Sequence, residues 1–315
     1  MRWMRAIAAT LASRFPSGPL IRLLIGVLIA VSVGALALVF SAGYVTYRIV
    51  TEHNDTEVVT PASYLLSSYV NLNFTDRSGG EHEGWLLLGL RGAPVILLCH
   101  GYNSNRSELV SLGILLRENH FNVYLFNFRS LKEREPYSAL GLKQASDLLA
   151  AIDAITRQPA VNPRRVGLFG ASTGGYAALV AAPQSSRVKA LVVDTIYETP
   201  EQMFRTEVDR RLGGSSSIFR TLSEVEFHLF FLRMKPPVMS EEIPKLGVVP
   251  KLFISGRDEP SLAAATEDLY NYAGQPKRLL VLEHSQTSLT SGAEKKEYEN
   301  QILTFFLFNL PLRAD

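Results

Sequence analysis

The chain has 315 residues, is 47% hydrophobic and 20% charged, and carries a formal net charge of +2. That length admits one large α/β domain with an appendage, and so balanced a charge excludes binding driven by bulk electrostatics, nucleic acid included. Cys99 is the single cysteine and the six histidines are scattered, with no His-x-x-x-His and no Cys-x-x-Cys, so neither an intrachain disulfide nor a metal site is expected.

Residues 23–47 carry no charge and are mostly Leu, Ile, Val, Ala and Gly. As a helix this run is about 37 Å long at ~1.5 Å per residue, enough to cross a bilayer core of roughly 30 Å. Arg2, Arg5, Arg14 and Arg22 precede it, and no acid appears before Glu52. The positive flank predicts a cytoplasmic N-terminus and an extracytoplasmic remainder. A cleaved signal peptide has a shorter apolar stretch, about 7–15 residues, and a buried core helix seldom runs this long uncharged, so a retained anchor is the expectation. The divisions expected are a basic segment at 1–19, a transmembrane helix at 20–47, a polar tether at 48–67 and a catalytic domain at 68–315. Within the basic segment, Trp3 is a candidate interfacial residue.

Alternation at 69–74, a glycine turn near 76–80 and a second run at 85–90 read as a hairpin. Pro94-Val-Ile-Leu-Leu-Cys99 is continuously apolar, the pattern of a strand buried on both faces of a parallel sheet. His100-Gly101-Tyr102 follows it. A helix is expected at 108–119, a strand at 121–126, a helix at 140–157 and a strand at 166–169. The next stretch, Gly170-Ala-Ser172-Thr-Gly174-Gly-Tyr176, runs straight into helix-forming residues. Gly-x-Ser-x-Gly at a strand-to-helix turn is the nucleophile elbow. The bend holds the serine in a strained conformation, and the flanking glycines remove side chains that would collide with strand and helix.

After a strand at 188–193, residues 196–246 break the rhythm. They contain paired prolines and an amphipathic helix with Ile218, Leu222, Val225, Leu229 and Leu232 at helical spacing. Phe227, Leu229, Phe230, Phe231, Leu232 and Met234 are candidates for an acyl-binding wall, for membrane contact, or simply for packing. Arg205, Arg210, Arg211, Arg220 and Arg233 read as solvated faces. A strand at 249–254, a helix at 261–273 and a strand at 278–282 restore the alternation. The last helix opens with Ser291-x-x-Glu294, a capping box, and buries Tyr298, Ile302 and Phe305. Strands alternating with helices give a mostly parallel sheet covered on both faces, with ligands outside the strands' carboxyl ends.

A serine hydroxyl needs a base within hydrogen-bond reach, and the base needs an orienting acid. In this architecture the chain order is Ser, then Asp or Glu, then His. Asp258 follows the strand ending at Ile254 and His284 follows the strand ending at Leu282. Ser172, Asp258 and His284 are therefore the candidate triad, with Asp194 a rival acid. The oxyanion donors expected are the backbone N–H groups of Thr173 and Tyr102.

On His100-Gly101, Gly170-x-Ser172-x-Gly174, Asp258 and His284, the chain resembles the alpha/beta-hydrolase superfamily from about residue 68 to 310. It is most similar to membrane-anchored bacterial serine hydrolases related to the prolyl-oligopeptidase and dienelactone-hydrolase branches. The resemblance implies an eight-stranded sheet with its second strand antiparallel and a cap at 196–246. It also implies cleavage of an ester, thioester or amide through an acyl-enzyme, on a small-molecule or lipid-like acyl substrate, with no cofactor. One loop departs from the pattern: where many relatives read Asp-x-Arg-Gly-x-Gly-x-Ser, this chain has Asn127-Phe-Arg-Ser-Leu131. The competing functions are a catalytically idle scaffold at the membrane and an acyltransferase with the same triad. No pattern speaks to oligomeric state.

Overall fold

The computed structural model describes residues 18–51, 59–64, 69–128, 139–213, 217–232, 234–286 and 292–312. The basic leader before residue 18, much of the tether, the loop at 129–131, Arg233 and Ser291 lie outside them.

Helix α1 (Pro19–Val50) contains the uncharged run. Pro19 starts it, where a missing N–H costs nothing. From Pro19 to Ser41 every residue is exposed, and the helix is long and apolar enough to span a membrane. Its C-terminal end behaves differently: Ala42, Thr46, Ile49 and Val50 are buried against the remaining chain.

Eight strands form the main sheet: β1 (Tyr69–Asn71), β4 (Gly84–Leu87), β5 (Ala93–Cys99), β6 (Asn122–Phe126), β7 (Val161–Ala171), β8 (Val188–Asp194), β9 (Lys251–Gly256) and β10 (Lys277–Leu282). Their order is β1-β4-β6-β5-β7-β8-β9-β10. Strand β4 runs antiparallel to β1 and to β6, and every pairing from β6 to β10 is parallel. The hairpin expected near the start is β1 with β4, tipped by a two-residue ladder of β2 (Phe74–Thr75) and β3 (Glu81–His82). All seven residues of β5 are buried, as its unbroken apolar run demands.

Helices α3 (Leu142–Ile155), α4 (Ser172–Ala181) and α8 (Pro260–Tyr272) pack on one face of the sheet, and α2 (Val110–Glu118) and α9 (Gly292–Asn309) on the other. Helix α4 is buried at every position, which is why its sequence is apolar or small all round.

The insertion after β8 is a cap. It holds α5 (Pro200–Leu212), α6 (Ser217–Phe231) and the short α7 (Met239–Glu242). Thr199 caps α5 by accepting from the Gln202 N–H, and left-handed Gly213 ends it. On α6 the buried residues are Ser223, Phe227 and Phe231. Of the expected stripe, Ile218, Val225, Leu229 and Leu232 are exposed and Leu222 is half-buried, so the face that helical spacing selects for burial is mostly the outer one. Phe227 stacks on Phe204 of α5, with ring centroids 4.4 Å apart, and packs on Phe231 at 4.3 Å. Two faces of α6 are apolar, and the aromatic one fills the cap.

The ends of α1 and the cap are joined. Thr46 Oγ1 donates to the Ser223 carbonyl at 3.4 Å, and Gly43 lies against the Glu226 carboxylate. The Tyr102 hydroxyl donates to the Ile49 carbonyl at 3.0 Å, tying α1 to the loop after β5.

Candidate active site

The elbow joins β7 to α4 with Ser172 as the first helical residue. Its φ is +46°, the left-handed region that a residue with a Cβ enters only under constraint. The constraint comes from backbone packed on backbone. A Cβ on Gly170 would lie 2.4 Å from the Gly174 carbonyl oxygen, and one on Gly174 would lie 2.4 Å from that of His100. The two glycines therefore let α4 start directly against the end of β5.

Ser172 is nearly buried and lines a cavity of about 390 Å³ at the carboxyl ends of the strands. Its Oγ faces the Met203 sulfur at 4.0 Å. Tyr102, Ala171 and Leu262 supply further wall, and the rest is strongly ionic: Glu108, Asp194, Glu207, Arg210, Arg211 and Glu259 all contribute. Arg210 reaches Glu207 and Glu259, each at 2.6 Å, and so bridges cap and main domain. Arg211 donates to the Tyr102 hydroxyl at 3.2 Å. Of the arginines expected to be solvated faces, Arg210 and Arg211 are thus cavity walls. Arg205 pairs with Glu201 and Glu224, and Arg220 with Asp209. Leu232, Met234 and the α6 residues from Phe227 to Phe231 do not appear in this wall.

Thr173 is buried in the first turn of α4, where backbone N–H groups have no intrahelical partner, and its Oγ1 has no hydrogen bond. Tyr102 lines the cavity. His100 is a strut: it is buried, its Nε2 accepts from the Phe128 N–H at 3.2 Å, and its Nδ1 donates to the Gly101 carbonyl at 3.0 Å.

The two remaining triad candidates are engaged elsewhere. Asp258 spends its carboxylate on the next strand-end loop: Oδ1 accepts the Ser285 N–H at 2.7 Å and Oδ2 the Ser285 hydroxyl at 3.0 Å. His284 is exposed, and its Nδ1 lies 2.8 Å from Glu294 Oε2, while its backbone N–H donates to Glu294 Oε1 at 3.2 Å. Glu294 therefore holds His284, while the capping box expected with Ser291 lies outside the described residues. Ser285 and Gln286 line the Ser172 cavity, and His284 is absent from that wall among the described residues. The structure brings Asp258 to the His284 loop but does not bring the His284 ring to Ser172.

Asp194, the rival acid, ends β8 and also lines the cavity, although its carboxylate is fully buried. Oδ1 accepts from the Thr195 hydroxyl at 2.6 Å; Oδ2 accepts from the Tyr298 hydroxyl at 2.7 Å and the Gln286 N–H at 2.9 Å. Burial pushes its pKa up to about 6, against the pull of those donors. An acid with a raised folded pKa binds its proton more tightly in the native state. Its contribution to stability therefore falls as pH rises from about 4, the unfolded value, to about 6 and is flat above. At about 1.4 kcal/mol per pKa unit, keeping Asp194 ionised at neutral pH costs roughly 3 kcal/mol. In Asp194→Asn, the amide oxygen accepts from Gln286 and Tyr298 while the NH2 donates to Thr195. This variant is expected to melt above the wild type at pH 7.5 and to lose that advantage at pH 4.5, checked by thermal denaturation at both.

Among the described residues, one other cluster groups potential ligands: Asp76, His82 and Asp147 bring three ligand atoms within 4.8 Å of one another. Its hydrogen bonds are already structural. Asp76 accepts from Ser78, Gly80 and His82, and His82 Nδ1 contacts the Asn127 carbonyl, tying the β2–β3 tip to the end of β6.

Comparison with known proteins follows the same lines. A family model described as alpha/beta hydrolase fold matches residues 94–234, from β5 to just past α6 of the cap. The protein YfhR of Escherichia coli O157:H7 is 26% identical over 247 residues, 75% of this chain and 80% of its own. The thiohydrolase aneE of Aspergillus aculeatus is 28% identical over 145 residues, 45% of each chain. Among solved structures, the Pyrococcus furiosus esterase Pf2001 superposes with a TM-score of 0.65 at 17% identity, over 84% of this chain and 99% of its own. Sheet order, elbow and matched segment together give this chain the alpha/beta-hydrolase fold.

Proposed function

We propose that this protein is a membrane-anchored serine hydrolase that cleaves an ester or thioester through an acyl-Ser172 intermediate. The observation that carries the reading is Ser172 itself, held at a φ of +46° over an open cavity. Strain of this kind costs roughly 1–3 kcal/mol and persists where surrounding structure enforces it, most often at active sites. The first-turn N–H of Thr173 and the N–H of Tyr102 are the proposed oxyanion donors. The names of neighbours, an esterase and a thiohydrolase, support the reaction class. The ionic wall favours a compact polar substrate over a long acyl chain, since charged walls lose hydration against a hydrocarbon tail.

Catalysis on this reading requires His284 to exchange Glu294 for Ser172, with Asp258 orienting it. The Glu294 hydrogen bond and charge raise the His284 pKa, which favours the imidazolium, a form that accepts no proton. Glu294→Gln removes that charge. The expected result is faster modification of Ser172 by a fluorophosphonate near neutral pH, roughly severalfold to tenfold, with the pH profile moved to lower pH. An unchanged profile would separate Glu294 from the reaction.

Anchoring has its own support. A leader cleaved after Gly43 would take away buried Ala42 and the contact of Gly43 with Glu226. With the positive flank inside, the hydrolase domain is extracytoplasmic. A second reading, a catalytically idle binding module at the membrane, is favoured by one observation: the His284 ring is turned to Glu294. Fluorophosphonate labelling of the full-length protein in detergent separates the two. Stable labelling at Ser172 supports the hydrolase, and its complete absence supports the module.

A further inference from the structure

We propose that the outer face of α6 is a second membrane footing, seated in the boundary between headgroups and acyl chains beside α1. The occupant of this face is the lipid bilayer, and the inference rests on α1 being a retained span.

A cap helix facing water should carry polar residues outward. Helix α6 does the reverse. Ile218, Val225, Leu229 and Leu232 are 68%, 52%, 59% and 73% exposed, and their spacings of seven, four and three place them on one side of a helix. The opposite side, Ser223, Phe227 and Phe231, already fills the cap. The outward stripe is therefore surplus to folding. Contiguous apolar surface of this kind on a soluble face marks an interaction site.

Its position names the partner. Helix α6 packs on α1 at Gly43 and Thr46, through Glu226 and the Ser223 carbonyl. That is the level at which the exposed apolar stretch of α1 ends, with Phe40 76% and Tyr44 64% exposed. Aromatic residues at the end of a span sit at the membrane–water interface. The α6 stripe thus continues the lipid-facing surface of α1 at interfacial depth, where an apolar face with a polar flank lies in the membrane plane. Arg220, Glu224 and His228 form that flank, paired with or close to Asp209, Arg205 and Glu201 of α5.

The footing also deepens the proposed function. Helix α5, which α6 packs on, supplies Met203, Glu207, Arg210 and Arg211 to the cavity. Membrane contact would hold that wall at the bilayer surface.

The test uses the full-length protein in phosphatidylcholine–phosphatidylglycerol vesicles, with an environment-sensitive fluorophore on single cysteines. Cys99 is fully buried and stays unlabelled in the folded protein. Leu229→Cys reports the footing, Leu36→Cys the span and Ser186→Cys the distal surface. The expected result is blue-shifted emission at 229, quenched by lipids spin-labelled near the headgroup, deep quenching at 36 and none at 186. Water-like, unquenched emission at 229 with deep quenching at 36 would overturn the footing and leave the span intact. Loss of quenching at 36 would overturn the anchor reading itself. Blue-shifted emission at 229 without lipid quenching would assign the face to a second copy of the chain and refute lipid as its occupant. Adding Val225→Glu should abolish quenching at 229 without lowering the melting temperature, because Val225 is not part of the buried side.

Discussion

Ser172→Ala is expected to abolish fluorophosphonate labelling and to lower ester or thioester turnover by roughly four to six orders of magnitude. A nucleophile has no substitute once its oxygen is gone. What survives is the contribution of the oxyanion donors and of substrate binding. His284→Ala should cost nearly as much, and the double variant little more than either single one, because nucleophile and base act as a unit. This non-additivity is the sharper half of the result. A chain that loses activity with Ser172→Ala but keeps it with His284→Ala uses Ser172 without this base. A chain with no wild-type labelling is the binding module. Thermal melting of both variants guards against trivial unfolding: Ser172 packs on Met203 through one long contact, and His284 is exposed, so neither substitution should shift the melting temperature much.

The sheet was legible because its signals are local. An unbroken apolar run such as β5 has only one stable place in an α/β protein, the sheet interior, and the glycines of the elbow mark a backbone crossing that no other residue permits. The cap was legible as an interruption but not in its orientation. Periodicity finds an apolar stripe on α6 without saying which stripe is buried, and here two compete. The aromatic pair Phe227 and Phe231 takes the inside, since larger rings remove more surface from water per position. The site divides in the same way. Chain order and strand ends locate Asp258 and His284 on neighbouring loops, and the Asp258–Ser285 bonds join those loops. Side-chain direction is another matter. One step along extended backbone reverses the face, and a single acceptor, Glu294, decides where the His284 ring points. Asp194 shows the complementary limit. The sequence places it at a strand end beside the elbow, but its three donors come from Thr195, Gln286 and Tyr298, two of them about ninety or more residues downstream.

Gly174→Ala isolates the backbone condition on which the elbow depends. Helix propensity alone predicts a gain, since alanine is better than glycine in a helix by about 1 kcal/mol. Sterics predict the opposite sign. The added Cβ would lie 2.4 Å from the His100 carbonyl oxygen and 2.6 Å from that of Cys99. Neither atom belongs to a flexible side chain. Both are held at the end of β5, whose ladder to β7 pairs Cys99 with Gly170, so relief requires α4 to retreat from the sheet. Overpacking typically costs about 1–3 kcal/mol; contacts of 2.4 and 2.6 Å to backbone atoms put this site at the top of that range, so with the propensity gain of about 1 kcal/mol subtracted the net loss should be about 2 kcal/mol. For a domain of this size that is a fall in melting temperature of about 4–8 °C. The same substitution at Gly34, where nothing lies within 4 Å, retains the propensity gain and should leave melting unchanged or slightly higher. The functional effect should exceed the thermal one. Retreat of α4 carries the Thr173 N–H away from the oxygen it is proposed to stabilise, and a misplacement of about 1 Å costs on the order of 100-fold in rate. Gly174→Ala that melts like the wild type would mean the β5–α4 junction yields more easily than its backbone contacts imply, and the strain at Ser172 would then need another source.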